Sequence, residues 1–263
     1  MNKILKYIIL ILLQSVIVLN AKQLDIHKKV NQMTLDQKIG QMMLIGFDGT
    51  VVSDSIKVLI EDLHIGSFIL FALGNFNFPD ECSVLVNAIQ KTALSSELGI
   101  PLFIAMDQEG GIAAPIHYMM GATSTPGNMA LGASGRENDA YNAYSALGND
   151  MRACGVNVNF APAIDILTNA KNTDYTIRSF GSNMSVTQKL ARGAVRGLQD
   201  NGVIAAAKHF PGLAYFNEDT HRFLPTVDLT DAELMAGNMA HFRGAIEGGT
   251  DMIMTVHGIL TGW

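Results

Sequence analysis

Two short stretches carry the side chains best suited to chemistry. In the first, an apolar run from Val203 to Ala207 ends in Lys208 and His209, followed by Phe210-Pro211-Gly212. The run reads as a short buried strand and Pro-Gly as a turn, so a cation and an imidazole reach the strand's C-terminal rim. In the second, Asp219-Thr220-His221 sets a carboxylate and an imidazole two residues apart in a loop. A carboxylate that holds one imidazole nitrogen fixes the tautomer and raises the basicity of the other, which suits a proton shuttle. By itself an Asp-x-His pair is more often the content of a solvated polar loop.

The elements that must position these residues follow a regular pattern. Apolar strands are expected at Leu44–Phe47, Ile65–Phe71, Leu102–Met106, Val156–Ile164, Val203–Ala207 and Met252–Val256. Between them lie segments of helical periodicity: Ser55–Leu63, Pro79–Leu98, Glu137–Cys154, Val186–Asn201 and Thr230–Glu247. A further helix starts at Leu35, with Thr34 as N-cap, Gln37 completing a capping box, and Leu35, Ile39, Met42 and Met43 at helical spacing. Strand and helix alternating in this way mean parallel βα units. Asp107, Asp165, Lys208, His209 and His257 all sit just past the C-terminal ends of expected strands. Those ends form the active face of a (β/α)8 barrel, and a doubly wound open sheet also binds ligands there. No Gly-x-Gly-x-x-Gly follows the first strand, which counts against a dinucleotide fold. Five main βα strands are counted in the sequence, where a closed barrel needs eight. The reading is therefore an α/β, TIM-type barrel that is incomplete, with exposed sheet edges and apolar helix faces.

Composition narrows the function. Only 16% of residues are charged, the net charge is −6, and no basic run occurs, which argues against a nucleic-acid partner. Lys3 and Lys6 precede an apolar stretch that ends near Asn20-Ala21. A basic start, a short apolar core and a small residue describe a secretory signal over residues 1–21, with the domain spanning 22–263 and a secreted or periplasmic location. An uncleaved N-terminal anchor is the alternative; after signal removal no stable membrane span is expected. Cys82 and Cys154 make no disulfide framework and read as small buried residues. No Cys or His spacing resembles a metal site, and no cofactor is implied.

Taken with its neighbours, Lys208-His209-Phe210-Pro211-Gly212 and the Asp219-Thr220-His221 loop resemble the signature of glycoside hydrolase family 3, β-N-acetylhexosaminidase branch. Asp107-Gln108-Glu109-Gly110-Gly111, Asn159 to Asp165, Arg178-Ser179-Phe180-Gly181 and Met254-Thr255-Val256-His257 are similar to further motifs of that family, as is Thr125 to Gly132. The resemblance runs from about residue 33 to the end. It implies hydrolysis, with net retention, of a terminal β-linked N-acetylhexosamine in peptidoglycan fragments or chitooligosaccharides. Asp107, Arg178, Lys208 and His209 would bind sugar hydroxyls, with Asp165 a lesser candidate for the same task. His221 would be the general acid/base, held by Asp219.

Retention also requires a carboxylate nucleophile. The family carries it on the strand after Met-Thr-x-His, beyond residue 263, and Asp251 stands at the wrong end of its strand. The expectation is thus a chain holding the binding half of a site and its proton shuttle, as part of a longer enzyme. A sugar-binding remnant without a nucleophile is one alternative. A family 3 β-glucosidase is another, against which the Asp-x-His loop argues. Two departures from the family pattern stand out: Leu213-Ala214 replaces His-Gly, and Ile112 to Pro115 replaces a Val-x-Arg pattern.

Overall fold

A computed structural model describes residues 26–117, 121–168, 175–213, 216, 218, 220 and 222–262. The expected signal segment, residues 1–21, lies outside the described residues. Helices α1 (Ile26–Gln32) and α2 (Leu35–Gln41) lead into β1 (Leu44–Gly46), α3 (Asp54–Glu61), β2 (Ser67–Ile69) and α4 (Pro79–Ser95). Then come β3 (Phe103–Met106), α5 (Asn128–Ser134), α6 (Glu137–Ala153), β4 (Val158–Asn159), α7 (Met184–Gln199) and β5 (Ile204–Phe210). The last part holds β6 (Thr226–Asp228), α8 (Asp231–Glu233), α9 (Phe242–Glu247), β7 (Met252–Thr255) and β8 (Ile259–Thr261).

Six strands form one parallel sheet in the order β1-β2-β3-β4-β5-β7, while β6 and β8 pair separately. The sheet curls as part of a barrel wall, its strands in chain order except that β6 is left out between β5 and β7. Its middle is buried on both faces, as a parallel sheet covered by helices requires: Phe68, Ile104, Ala105 and Met106 are closed to solvent. Its ends are not. Among the described residues β1 pairs only with β2, and β7 only with β5. Leu44 and Ile253 on these edge strands are exposed. Both open edges follow from the sequence expectation of an incomplete barrel.

Several expectations are corrected. The apolar residues of the first helix do not face a core: Leu35 is 71% and Met42 84% exposed. Gln37 and Gly40 take the buried side of α2 instead, because the helix lies so close to the next turn that a Cβ on Gly40 would come within 2.2 Å of the Leu63 carbonyl. The strand expected over Val156–Ile164 is regular only at Val158–Asn159; Pro162, lacking an N–H, cannot continue a ladder. The helix expected over Thr230–Glu247 is broken. Its Thr230–Glu233 capping box forms, but a π-helical segment, Leu234–Asn238, follows at once and α9 begins only at Phe242. The loop after β3 contains α5, and the β6–β8 pair was not anticipated.

Helices α6 and α7 pack against each other through glycines. A Cβ on Gly193 would lie 2.5 Å from the Glu137 carbonyl, and one on Gly197 would lie 2.4 Å from that of Tyr141. Gly193 and Gly197 are four apart, as are Glu137 and Tyr141, so one face of each helix meets the other backbone to backbone. Arg192 fastens the contact, donating from Nε and Nη2 to Glu137 at 2.8 and 2.7 Å and from Nη1 to Glu247 of α9 at 2.8 Å. Gly197→Val is expected to force the helices apart and to lower stability by about 1–3 kcal/mol, the range for overpacking. The urea midpoint measures this, and an unchanged midpoint would contradict so close an approach.

Candidate active site

The C-terminal end of β3 is shaped by two neutral amides. Gln108 turns inward and pairs with the backbone of Ile116, donating from Nε2 at 2.6 Å and accepting the Ile116 N–H at 3.0 Å. Asn159, ending β4, pairs in the same two-way manner with the backbone of Gln108, at 2.9 and 2.8 Å. The loop is thereby pinned, and the alternation of an extended chain turns Asp107 and Glu109 to one side, away from Gln108.

Lys208 meets them from β5. The strand runs on to Phe210, so Lys208 and His209 are part of its last turn of pleat and not of a following loop, which corrects the expected end at Ala207. Its backbone is held on both sides: the Lys208 N–H donates to Pro162 O at 3.1 Å and its carbonyl accepts from Ile164 at 2.9 Å, while Lys208 aligns with Met254 of β7. The ammonium lies 2.6 Å from Asp107 Oδ1 and 2.7 Å from Glu109 Oε1. Arg178 completes the group with a two-pronged contact, Nε to Glu109 Oε2 and Nη2 to Oε1, both at 2.8 Å. Lys208 and Glu109 are 2% and 3% exposed and Arg178 16%, whereas Asp107 is 39% exposed and forms the open side of the cluster.

Glu109 was not singled out from the sequence, yet it is the group on which both cations converge. The available signal was its place two residues after Asp107, sharing a face with it. Burial alone would raise its pKa, but the Arg178 hydrogen bonds and the charges of Lys208 and Arg178 outweigh burial and hold the carboxyl below the usual range.

Beside this cluster Asp165 and His209 form a second pair. His209 Nδ1 lies 2.8 Å from Asp165 Oδ2, and the carboxylate also accepts the backbone N–H groups of His209 and, at 2.8 Å, Leu213. Asp165 is 1% exposed. The structure therefore places it beneath His209 with its oxygens engaged, orienting the ring through Nδ1. Burial again opposes ionisation and is outweighed, here by the His209 charge and hydrogen bond, by His241, and by the Leu213 N–H, so the pKa stays below the ordinary aspartate value. Leu213 joins Tyr175 and Phe216 in a small apolar cluster, so the Leu213 departure fills a second core while keeping the backbone tie to Asp165.

The Thr125–Gly132 motif braces the site from behind. Asn128 donates to Arg178 O at 2.7 Å and Ala163 O at 3.2 Å and accepts from Tyr144 Oη at 2.8 Å. A cleft of about 480 Å³ opens on the flank of the Glu109–Arg178 pair, with Ile112, Met129 and Ile177 on its walls. His257 is exposed at the end of β7, and Asp251 lies at the opposite end of that strand, its N–H bound to Gln199. Asp219 and His221 lie outside the described residues, as do Ala214 and part of the loop before Tyr175. No group of three or more potential metal-ligating side chains occurs among the described residues.

A curled parallel sheet whose strand ends gather carboxylates, cations and an imidazole is the architecture of an α/β-barrel enzyme site. Residues 34–263 match the family model described as glycosyl hydrolase family 3 N terminal domain, and the chain belongs to that family. It is 38% identical over 212 residues to the beta-hexosaminidase A of Pseudoalteromonas piscicida, covering 79% of this chain and 35% of that protein. With the beta-hexosaminidase of Alkalilimnicola ehrlichii it shares 32% over 225 residues, 82% of this chain and 61% of that one. The chain thus spans about a third to three-fifths of the length of these relatives. Among solved structures, a glycoside hydrolase family 3 beta-N-acetylglucosaminidase from Paenibacillus sp. str. FPU-7 matches with TM-score 0.82 and 41% identity over 87% of this chain and 43% of that one. NagZ from Neisseria gonorrhoeae in complex with N-trifluoroacetyl-D-glucosamine gives 0.74 and 27%, over 83% and 64%.

The lowered pKa values set a pH dependence. A carboxyl with a depressed folded-state pKa contributes stability that is full above its unfolded value, near 3.9 for Asp and 4.3 for Glu, and is lost as pH falls through the folded value. The urea midpoint is expected to drop from pH 5 towards pH 3, and Glu109→Gln is expected to be less stable at pH 7 but to show a shallower acid slope. Parallel slopes in the two proteins would remove Glu109 from this role.

Proposed function

We propose that this chain provides the sugar-binding half of the active site of a hydrolase that releases terminal β-linked N-acetylhexosamine with retention. One observation carries the reading: Asp107, Lys208, Glu109 and Arg178 form a charge-paired cluster at the strand ends, next to the Asp165–His209 pair. Fixed ions with an open Asp107 and an imidazole oriented by Asp165 offer the charge-assisted hydrogen bonds that orient a polyol. The names of the relatives support the hexosaminidase class. In this reading His221 is the acid/base, held by Asp219, because an imidazolium near neutral pH is a competent proton donor. The described strand-end carboxylates Asp107, Glu109 and Asp165 are each tied to a cation or imidazole, which leaves none of them poised as the nucleophile that retention demands. Residues 1–21 would direct the chain to secretion, and the substrate would be an N-acetylglucosamine-containing oligosaccharide or cell-wall fragment.

Removing the open carboxylate tests the binding role. Asp107→Ala is expected to weaken N-acetylglucosamine binding by about tenfold or more, the scale of one charge-assisted hydrogen bond; calorimetric titration showing wild-type affinity would refute it. The acid role is tested in the hydrolytically active protein. His221→Ala is expected to slow substrates with poor leaving groups far more than activated aryl glycosides. Equal losses on both would exclude His221 as the proton donor.

A further inference from the structure

Cys82 and Cys154 take no part in the site, and their separation in the chain suggests two unrelated core residues. The fold brings them together. Cys82 lies in the first turns of α4 and Cys154 caps the end of α6, and both are buried in the main core. Val86, one turn beyond Cys82 on the same face of α4, packs on Gly155 so tightly that a Cβ there would lie 2.7 Å from Val86 Cγ1. This contact brings Cys82, one turn before Val86, and Cys154, the residue before Gly155, to the same place in the core as two free thiols. The neighbouring Cys154 thiol and burial both push the Cys82 thiol up from its usual value.

We propose that Cys82 and Cys154 are a covalent modification site that closes into an intramolecular disulfide, joining α4 to the end of α6, when the chain folds in contact with a small-molecule disulfide such as oxidised glutathione. One cysteine, as thiolate, attacks the oxidant's S–S bond, forming a mixed disulfide and releasing one glutathione thiolate. The other, deprotonated in turn, attacks the protein sulfur of that mixed disulfide and displaces the second. Two S–H bonds are lost and one S–S bond is formed; the two electrons reduce glutathione disulfide to two thiols. Both sulfurs are closed to solvent in the folded chain, so exchange occurs while the helices are docking, and a protein folded in the reduced state keeps its thiols shielded. The inference is independent of the carbohydrate reading.

The test is to unfold and reduce the protein, refold it with oxidised or with reduced glutathione alone, and denature each sample in iodoacetamide before weighing it. The oxidised sample is expected to take up no alkyl group and to yield a joined Cys82–Cys154 peptide, and the reduced sample to take up two. The oxidised form is also expected to melt several degrees higher than the reduced form, a shift that Cys82→Ser abolishes, with Cys154 then found alkylated or glutathionylated. A protein that regains its native far-UV spectrum in oxidised glutathione and still takes up two alkyl groups overturns the proposal. If refolding yields are poor, the same weighing after long incubation of native protein with oxidised glutathione in sub-denaturing urea decides: a joined peptide supports the bridge, and two alkylatable thiols refute it.

Discussion

A lysine ammonium sealed at 2% exposure between two carboxylates is the constraint around which the rest of the site is built. Withdrawing an ion from water costs several kcal/mol, and only close, fully hydrogen-bonded counter-charges offset it. Lys208 therefore requires Asp107 and Glu109 at contact distance, and Glu109, buried in its turn, requires Arg178. These four groups come from three different parts of the chain: the end of β3, the turn before α7 and the end of β5. The cluster can form only if adjacent parallel strands end at the same height, which is what the β3–β4–β5 register provides. Fold and site are here one energetic problem, because a slip of one residue in β5 would turn the ammonium into the apolar layer.

The sheet meets that demand with very little regular strand. β4 has two residues and β3 four, too few to fix a register by ladder hydrogen bonds alone. Side-chain amides supply the difference. Asn157 accepts the Ile104 N–H at 2.7 Å and donates to Leu102 O at 3.1 Å, and Gln90 holds both backbone groups of Leu102 from α4. Asn75 does the same at the β2 end, accepting from Phe71 N and donating to Phe47 O, both at 2.8 Å. An amide carries donor and acceptor together, so it completes a backbone pairing without any charge to desolvate.

Much of this was legible in advance where local pattern and tertiary demand agree. The apolar runs gave the parallel strands, Thr34-x-x-Gln37 gave a capping box that forms as expected, and the polar residues at the strand ends gave the cluster. What escaped depends on contacts that periodicity does not encode. Glu109 resembles any loop acid until Arg178 and Lys208 are seen to converge on it. Leu35, Ile39 and Met42 keep perfect helical spacing yet face outward, because the side of α2 that is buried is chosen by the close backbone approach at Gly40. Thr230 to Glu247 reads as one helix because its capping box and apolar spacing are sound, while the π-helical segment and the fresh start at Phe242 arise from packing against α7 and β5, where Gly244 meets the backbone of Gln188 and Phe242 meets Phe210 edge to face.

The division between amides and ions bears on how such a site works. The frame is held by Gln90, Gln108, Asn128, Asn157 and Asn159, none of which titrates, so these pairings carry no charge to lose as pH changes. The groups at the open ends of the strands are instead charged or titratable, and each is anchored by a neighbour whose charge is opposite or whose ring nitrogen is directed. Asp165 shows the logic at its smallest: one carboxylate, 1% exposed, takes the His209 ring and the N–H groups of His209 and Leu213. The backbone after β5 and the imidazole it carries are thus set by a single buried charge. Preorganisation of this kind leaves little side-chain freedom to be lost when a ligand arrives, which is where rigid strand ends gain over mobile loops for binding a flexible polyol.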